Sequence, residues 1–125
     1  NGNGPYSVLV YAHGSKSPSR TITDGVTAPV GIAVDAHGTL YVANEATDNV
    51  EEYRSGQSQP YQTITGDMDL PAGITVNKQG WLYVVDAGSM VVVEFAPGST
   101  MPSRRQISNA LYDPFGTAYS PPLLP

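Results

Sequence analysis

The sequence predicts an all-β chain built from repeated, antiparallel four-stranded units. Three observations carry that prediction. Residues 29–44, PVGIAVDAHGTLYVAN, recur 42 positions later as PAGITVNKQGWLYVVD at 71–86, and PFGTAYS at 114–120 opens a third copy. Each copy divides into short runs rich in Val, Ile, Thr and Tyr, set apart by Gly, Pro, Asn, Asp and Ser, which is the pattern of strands joined by tight turns. No window places apolar residues at the three-and-four spacing of a helix.

The copies agree beyond their opening motif. Tyr11, Tyr53 and Phe95 stand 42 apart, as do Gly14, Gly56 and Gly98, and Pro18, Pro60 and Pro102; the third copy has one extra residue near Arg104 and Arg105. A fixed period of about 40–45 residues is that of propeller blades of four strands. In the best-formed copy, strand a covers 31–35, strand b 39–44, strand c 50–54 and strand d 61–65. Applied to the whole chain, 1–125, the register makes one segment. Strands c and d lie over 7–23, one blade over 30–65, another over 72–108, and a lone strand a over 115–120. Complete propellers have about 4–8 blades. A partial β-propeller of about three blades is therefore expected, completed by another chain or by missing sequence. Ile32, Val34, Leu40, Val42, Ile74, Val76, Leu82 and Val84 form the expected core, with Tyr11, Tyr41, Tyr53, Tyr83 and Phe95 packed into it.

The consensus P-x-G-[IV]-x-V-[DN]-x-x-G-x-L-Y-V-x-[ND], followed by a strand c that closes on an aromatic, resembles the NHL repeat, and the resemblance covers nearly the whole chain. The G-H…W-D pattern of WD40 blades is missing. The resemblance implies a propeller but no single activity, since propellers similar to this include ubiquitin-ligase substrate readers, extracellular sensor domains, a peptide-amidating lyase and a streptogramin-type lyase.

Composition narrows the classes. Cysteine is absent, which excludes disulfides and thiolate metal sites, and no apolar run approaches the roughly 18 residues of a membrane span. Only 14% of residues are charged, among many Ser, Thr, Gly, Pro and Tyr, a balance that fits a secreted or cell-surface protein. No N-x-[ST] sequon is present. The chain opens on Asn1 rather than Met, which fits a processed N-terminus or an excerpt from a longer chain.

Charge is sorted by loop. In an up-and-down blade the d–a and b–c connections share one end, and here they hold Asp24, Glu45, Asp48, Asp67, Asp69 and Asp113, with Asp86 closing strand b. All six basic residues, Lys16, Arg20, Arg54, Lys78, Arg104 and Arg105, fall at the other end. Two readings stand side by side. Turn chemistry favours Asp at such positions, and a face of carboxylates attracts cations or a basic protein partner. Calcium is the cation it would admit; no other cofactor is expected. Nucleic acid is disfavoured by the net charge of −5 and the lack of clustered Lys and Arg.

Catalytic residues do not emerge. His13 and His37 are the only imidazoles, both in turns, and neither has the converging partners of a zinc site. Asp35 and Asn77, each three residues before a glycine, are read as turn caps rather than calcium ligands. The expected role is a non-enzymatic extracellular module for protein interaction or self-assembly, joined head-to-tail by strand complementation into a ring or filament. Tyr6, Val8 and Val10 of the first half-blade and Phe115, Thr117 and Tyr119 of the last strand form the expected contact. The alternative is a fragment of a lyase-like or lactonase-like propeller enzyme whose catalytic residues lie outside this segment.

Overall fold

The alternation of β-branched and small residues is realised as ten strands and no helix in a computed structural model that describes residues 6–65 and 68–102, and the backbone of 104–107. The strands are β1 (Val8–Tyr11), β2 (Pro18–Ile22), β3 (Pro29–Val34), β4 (Leu40–Asn44), β5 (Asn49–Tyr53), β6 (Gln62–Ile64), β7 (Pro71–Val76), β8 (Leu82–Asp86), β9 (Val91–Phe95) and β10 (Arg104–Ile107). They form a two-stranded sheet, β1-β2, and two four-stranded meanders, β3-β4-β5-β6 and β7-β8-β9-β10. Every pairing is antiparallel.

The two meanders share one register. Ile32 faces Val42 in the first and Ile74 faces Val84 in the second, and both innermost strands carry a bulge after their opening proline. Pro is tolerated there because a strand's first residue can lack its ladder N–H. The a–b turns are closed by side chains. Asp35 Oδ1 accepts the N–H groups of His37 and Thr39 at 2.8 and 3.0 Å, and Asn77 Oδ1 accepts those of Gln79 and Trp81 at 3.0 and 2.9 Å. Gly38 and Gly80 follow at φ +85° and +94°, where a side chain would be strained. The turn-cap reading of both motifs holds.

Sheets stack face to face, and the core lies between them. Between the two meanders, Tyr41, Val50 and Ile64 of one pack with Ile74, Leu82 and Phe95 of the other. Between β1-β2 and the first meander, Val8 and Ile22 pack with Leu40, Val42 and Tyr53. Innermost strands come closest. Gly31 has an ordinary φ, yet a Cβ there would stand 3.3 Å from Ile74 Cγ2 and 3.4 Å from the Gly73 Cα. A side chain at that position would require the neighbouring strand to give by a few tenths of an ångström.

Three expected core positions are exposed instead. Ile32 and Val34 are 53% and 58% accessible, and Tyr11 is 49% accessible. Their repeat equivalents Ile74 and Tyr53 are buried at 7% and 0%. Coverage explains the difference. β7 lies under β3, but the sheet that precedes the first meander has only two described strands, which cover β4 and β5 and leave β3 bare.

Leu82, 2% exposed, anchors the larger core. Leu82→Ala should lower unfolding free energy by about 2–5 kcal/mol through lost transfer energy and a residual cavity, while Gln79→Ala, on the exposed turn, should change it little. Urea denaturation of the two variants checks the register, and equal losses would refute it.

Candidate functional site

Three regions bear on function: the bare face of β3, the acidic loop end, and a cleft at the opposite end. On β3, side chains alternate between faces. Gly31 and Ala33 turn toward the second meander, and Val30, Ile32 and Val34 form a stripe on the other side, at 40%, 53% and 58% exposure. Beside it, β1 pairs only with β2 among the described strands, and no described strand lies along its second edge. Leu9 and Tyr11 on its outward face are 47% and 49% exposed.

This placement corrects the expected contact residues. Val8 is buried between sheets, with Tyr6 and Val10 packed against the same cluster. The outward residues of β1 are Leu9 and Tyr11, one position out of phase with those expected. Phe115, Thr117, Tyr119 and the strand over 115–120 lie outside the described residues, as do Asp67 and Asp113.

At the acidic end, loops are tied to one another by a repeated bond set. Asn44 and Asp86, both wholly buried, occupy the same repeat position. Asn44 Oδ1 accepts the N–H of Thr27 at 2.9 Å, and Asp86 Oδ1 accepts that of Asp69 at 3.0 Å. Asn44 Nδ2 also donates to the Gly25 carbonyl and to Asn49 Oδ1. The b–c loop then closes on the d–a loop, Glu45 N–H to the Ala28 carbonyl and Ala87 N–H to the Leu70 carbonyl, each at 3.0 Å. Ala28 and Leu70 themselves lie in the left-handed region, at φ +52° and +62°. Asp48 Oδ1 accepts the Leu70 N–H at 2.9 Å and so joins one blade to the next. Tyr53, fully buried, donates to the Asp24 carbonyl at 2.6 Å, and burial pushes its hydroxyl pKa up to about 12.

Two of the seven acids of this end, Asp48 and Asp86, are thus acceptors for backbone N–H groups, while Asp24, Glu45 and Asp69 are exposed. Among the described residues no group of three or more His, Cys, Asp or Glu side chains could hold a metal ion.

The cleft lies between the meanders at the basic end. Its volume is about 220 Å³, and Asp35, His37, Tyr41, Lys78, Gln79 and Gly98 line it. Tyr41 donates to Asp35 Oδ2 at 3.0 Å, and burial, reinforced by that bond, raises its pKa well above the ordinary value. Its hydroxyl stays protonated at neutral pH. Next to it, Glu52 is buried and accepts from Gln62 Nε2 at 2.9 Å. Burial raises the Glu52 pKa, the Gln62 bond opposes the rise, and the charge of Asp35 adds to it.

The stacked, fanned meanders define a β-propeller segment. The hydrazine synthase of Kuenenia stuttgartiensis, a solved structure that contains a propeller, is similar to it with a TM-score of 0.72 and 25% sequence identity, over 88% of this chain and 32% of that chain. The chain spans about a third of that structure's length. No family model and no curated protein matches the sequence. No helix among the described residues is long and apolar enough to cross a membrane.

Glu52 gives a pH prediction. The folded protein holds this proton more tightly than the unfolded chain does. The group therefore favours folding below the ordinary carboxylate pKa, and that contribution is lost as pH rises through the raised value. Glu52→Gln should raise the melting temperature at pH 7, the Gln62 amide turning to suit it, with the gain gone below about pH 4. Thermal melts at the two pH values check it.

Proposed function

We propose that this chain is a non-enzymatic, extracellular protein-interaction module that self-assembles head-to-tail by strand complementation. The observation that supports the reading is the bare stripe of Val30, Ile32 and Val34 beside the edge of β1 along which no described strand lies. In the second meander the same positions, Ala72, Ile74 and Val76, are covered by β3. A contiguous apolar strip at the inner edge of a blade is a surface that another strand completes. The low share of charged residues, among many Ser, Thr, Gly, Pro and Tyr, fits an extracellular setting. Contacts of this kind are heterologous, so they generate rings where the rotation closes and filaments where it does not.

The likeness to the hydrazine synthase chain favours a second reading, a propeller portion of a larger enzyme whose chemistry lies elsewhere in the polypeptide. It predicts a natural chain several blades longer, with this segment monomeric when isolated.

Static light scattering of the 125-residue chain tests assembly. The expected species has at least twice the 13.2 kDa chain mass and grows with concentration. A monodisperse 13.2 kDa monomer across the range would sink the assembly reading.

A further inference from the structure

We infer that the cleft between the two a–b turns binds a small zwitterion of the free amino acid class, with its ammonium at Asp35 Oδ2 and its carboxylate at Lys78. The inference stands apart from the assembly reading, whose contact lies on the bare face of β3. It starts from a contrast between two copies of one turn. Asp35 and Asn77 occupy the same repeat position, and each accepts two backbone N–H groups of its own turn through Oδ1. A neutral amide suffices in the second turn, so capping does not require the charge of Asp35. One position later, Ala36 stands where the second turn has Lys78, so the turn does not require the ammonium either.

Both charges meet at the cleft instead. Asp35 and His37 come to it from the first turn, Lys78 and Gln79 from the second, and Pro97 from the loop after β9. Asp35 Oδ2 accepts from Tyr41 at 3.0 Å, its one donor among the described residues, which leaves a lone pair for a second donor. Tyr41 is buried in the core between the meanders, so that bond fixes the position of the oxygen. Among the described residues no anion pairs with the Lys78 ammonium. A simple anion drawn to Lys78 meets the repulsion of Asp35, and a simple cation drawn to Asp35 meets that of Lys78. A molecule that carries both charges meets neither penalty. The volume of about 220 Å³ falls below the roughly 300–1,000 Å³ of sites for drug-sized ligands, which suits a molecule of amino-acid size.

The two turns supply their own controls. Asp35→Asn copies the cap of the second turn and Lys78→Ala copies the first, so each variant takes a residue the chain already uses at that position. L-Alanine is the probe, titrated against the full chain by ligand-observed saturation-transfer NMR, which reads a monomer and an assembly alike. The expected result is saturable binding, with the dissociation constant raised about tenfold or more in either variant, the scale of a lost hydrogen bond to a charged group. L-Alaninamide carries only the ammonium and N-acetyl-L-alanine only the carboxylate, and each should bind about tenfold more weakly than alanine. No saturable signal from alanine overturns the inference, as do variants that bind it as the parent chain does. Equal binding of N-acetyl-L-alanine makes the cleft an anion site, equal binding of the amide makes it a cation site, and either result overturns the zwitterion. Both variants should melt close to the parent chain. A large fall in either would show that the turn needs the charge, and would remove the contrast from which the inference starts.

Discussion

The architecture depends on how closely two innermost strands approach. At Gly31 the gap to the neighbouring blade is about one atom wide, with Ile74 Cγ2 and the Gly73 backbone on its far side. Farther out the same interface is filled by Tyr41, Ile64, Leu82 and Phe95. Small residues inside and large ones outside make each interface a wedge, and a series of wedges fans the sheets about an axis. Dispersion contacts fall off steeply with small gaps, so the wedge angle is held by packing rather than by any covalent link. Enlarging position 31 would push the inner strands apart while the aromatic layer still held the outer ones.

A second constraint acts at the acidic end. Four non-glycine residues hold positive φ there, Ala28 with Leu70 and Asp48 with Met90, each pair at one repeat position. Conformations of this kind cost on the order of 1–3 kcal/mol each and persist where the surroundings over-determine them. The surroundings here are the carbonyls of Ala28 and Leu70, bonded to the N–H groups of Glu45 and Ala87, and the buried Asn44 and Asp86 side chains beneath them. The polar residues of this end thus fix backbone geometry first, and among its described acids Asp24, Glu45 and Asp69 are exposed.

Fold class was legible because it is written redundantly. Period-two alternation, turn residues and a 42-residue repeat all point to antiparallel four-stranded units, and no single position had to be read correctly. Face coverage was not legible. Both faces of a propeller strand are apolar, so the alternation in VGIAV does not reveal that Ile32 is bare while Ile74 is buried; that depends on which neighbour each sheet has. For the same reason the repeat does not distinguish the exposed Tyr11 from the buried Tyr53 and Phe95. At the acidic end, Asp86 is buried and accepts the Asp69 N–H, a role that its charge alone does not reveal. One signal does: its repeat partner is Asn44, and a position that accepts either residue needs a side-chain oxygen acceptor rather than a net charge.

The two-stranded β1-β2 sheet has a thermodynamic consequence. In a stack where each sheet contacts only its neighbours, stability is close to a sum of unit and interface contributions. The middle sheet contacts one on either side, whereas β1-β2 rests on one small cluster through Val8 and Ile22. Opening free energy is therefore graded along the chain, and amide protons of β1 and β2 exchange with solvent well before those of β4 and β8. Whatever covers the first sheet would flatten that gradient from the N-terminal side inward.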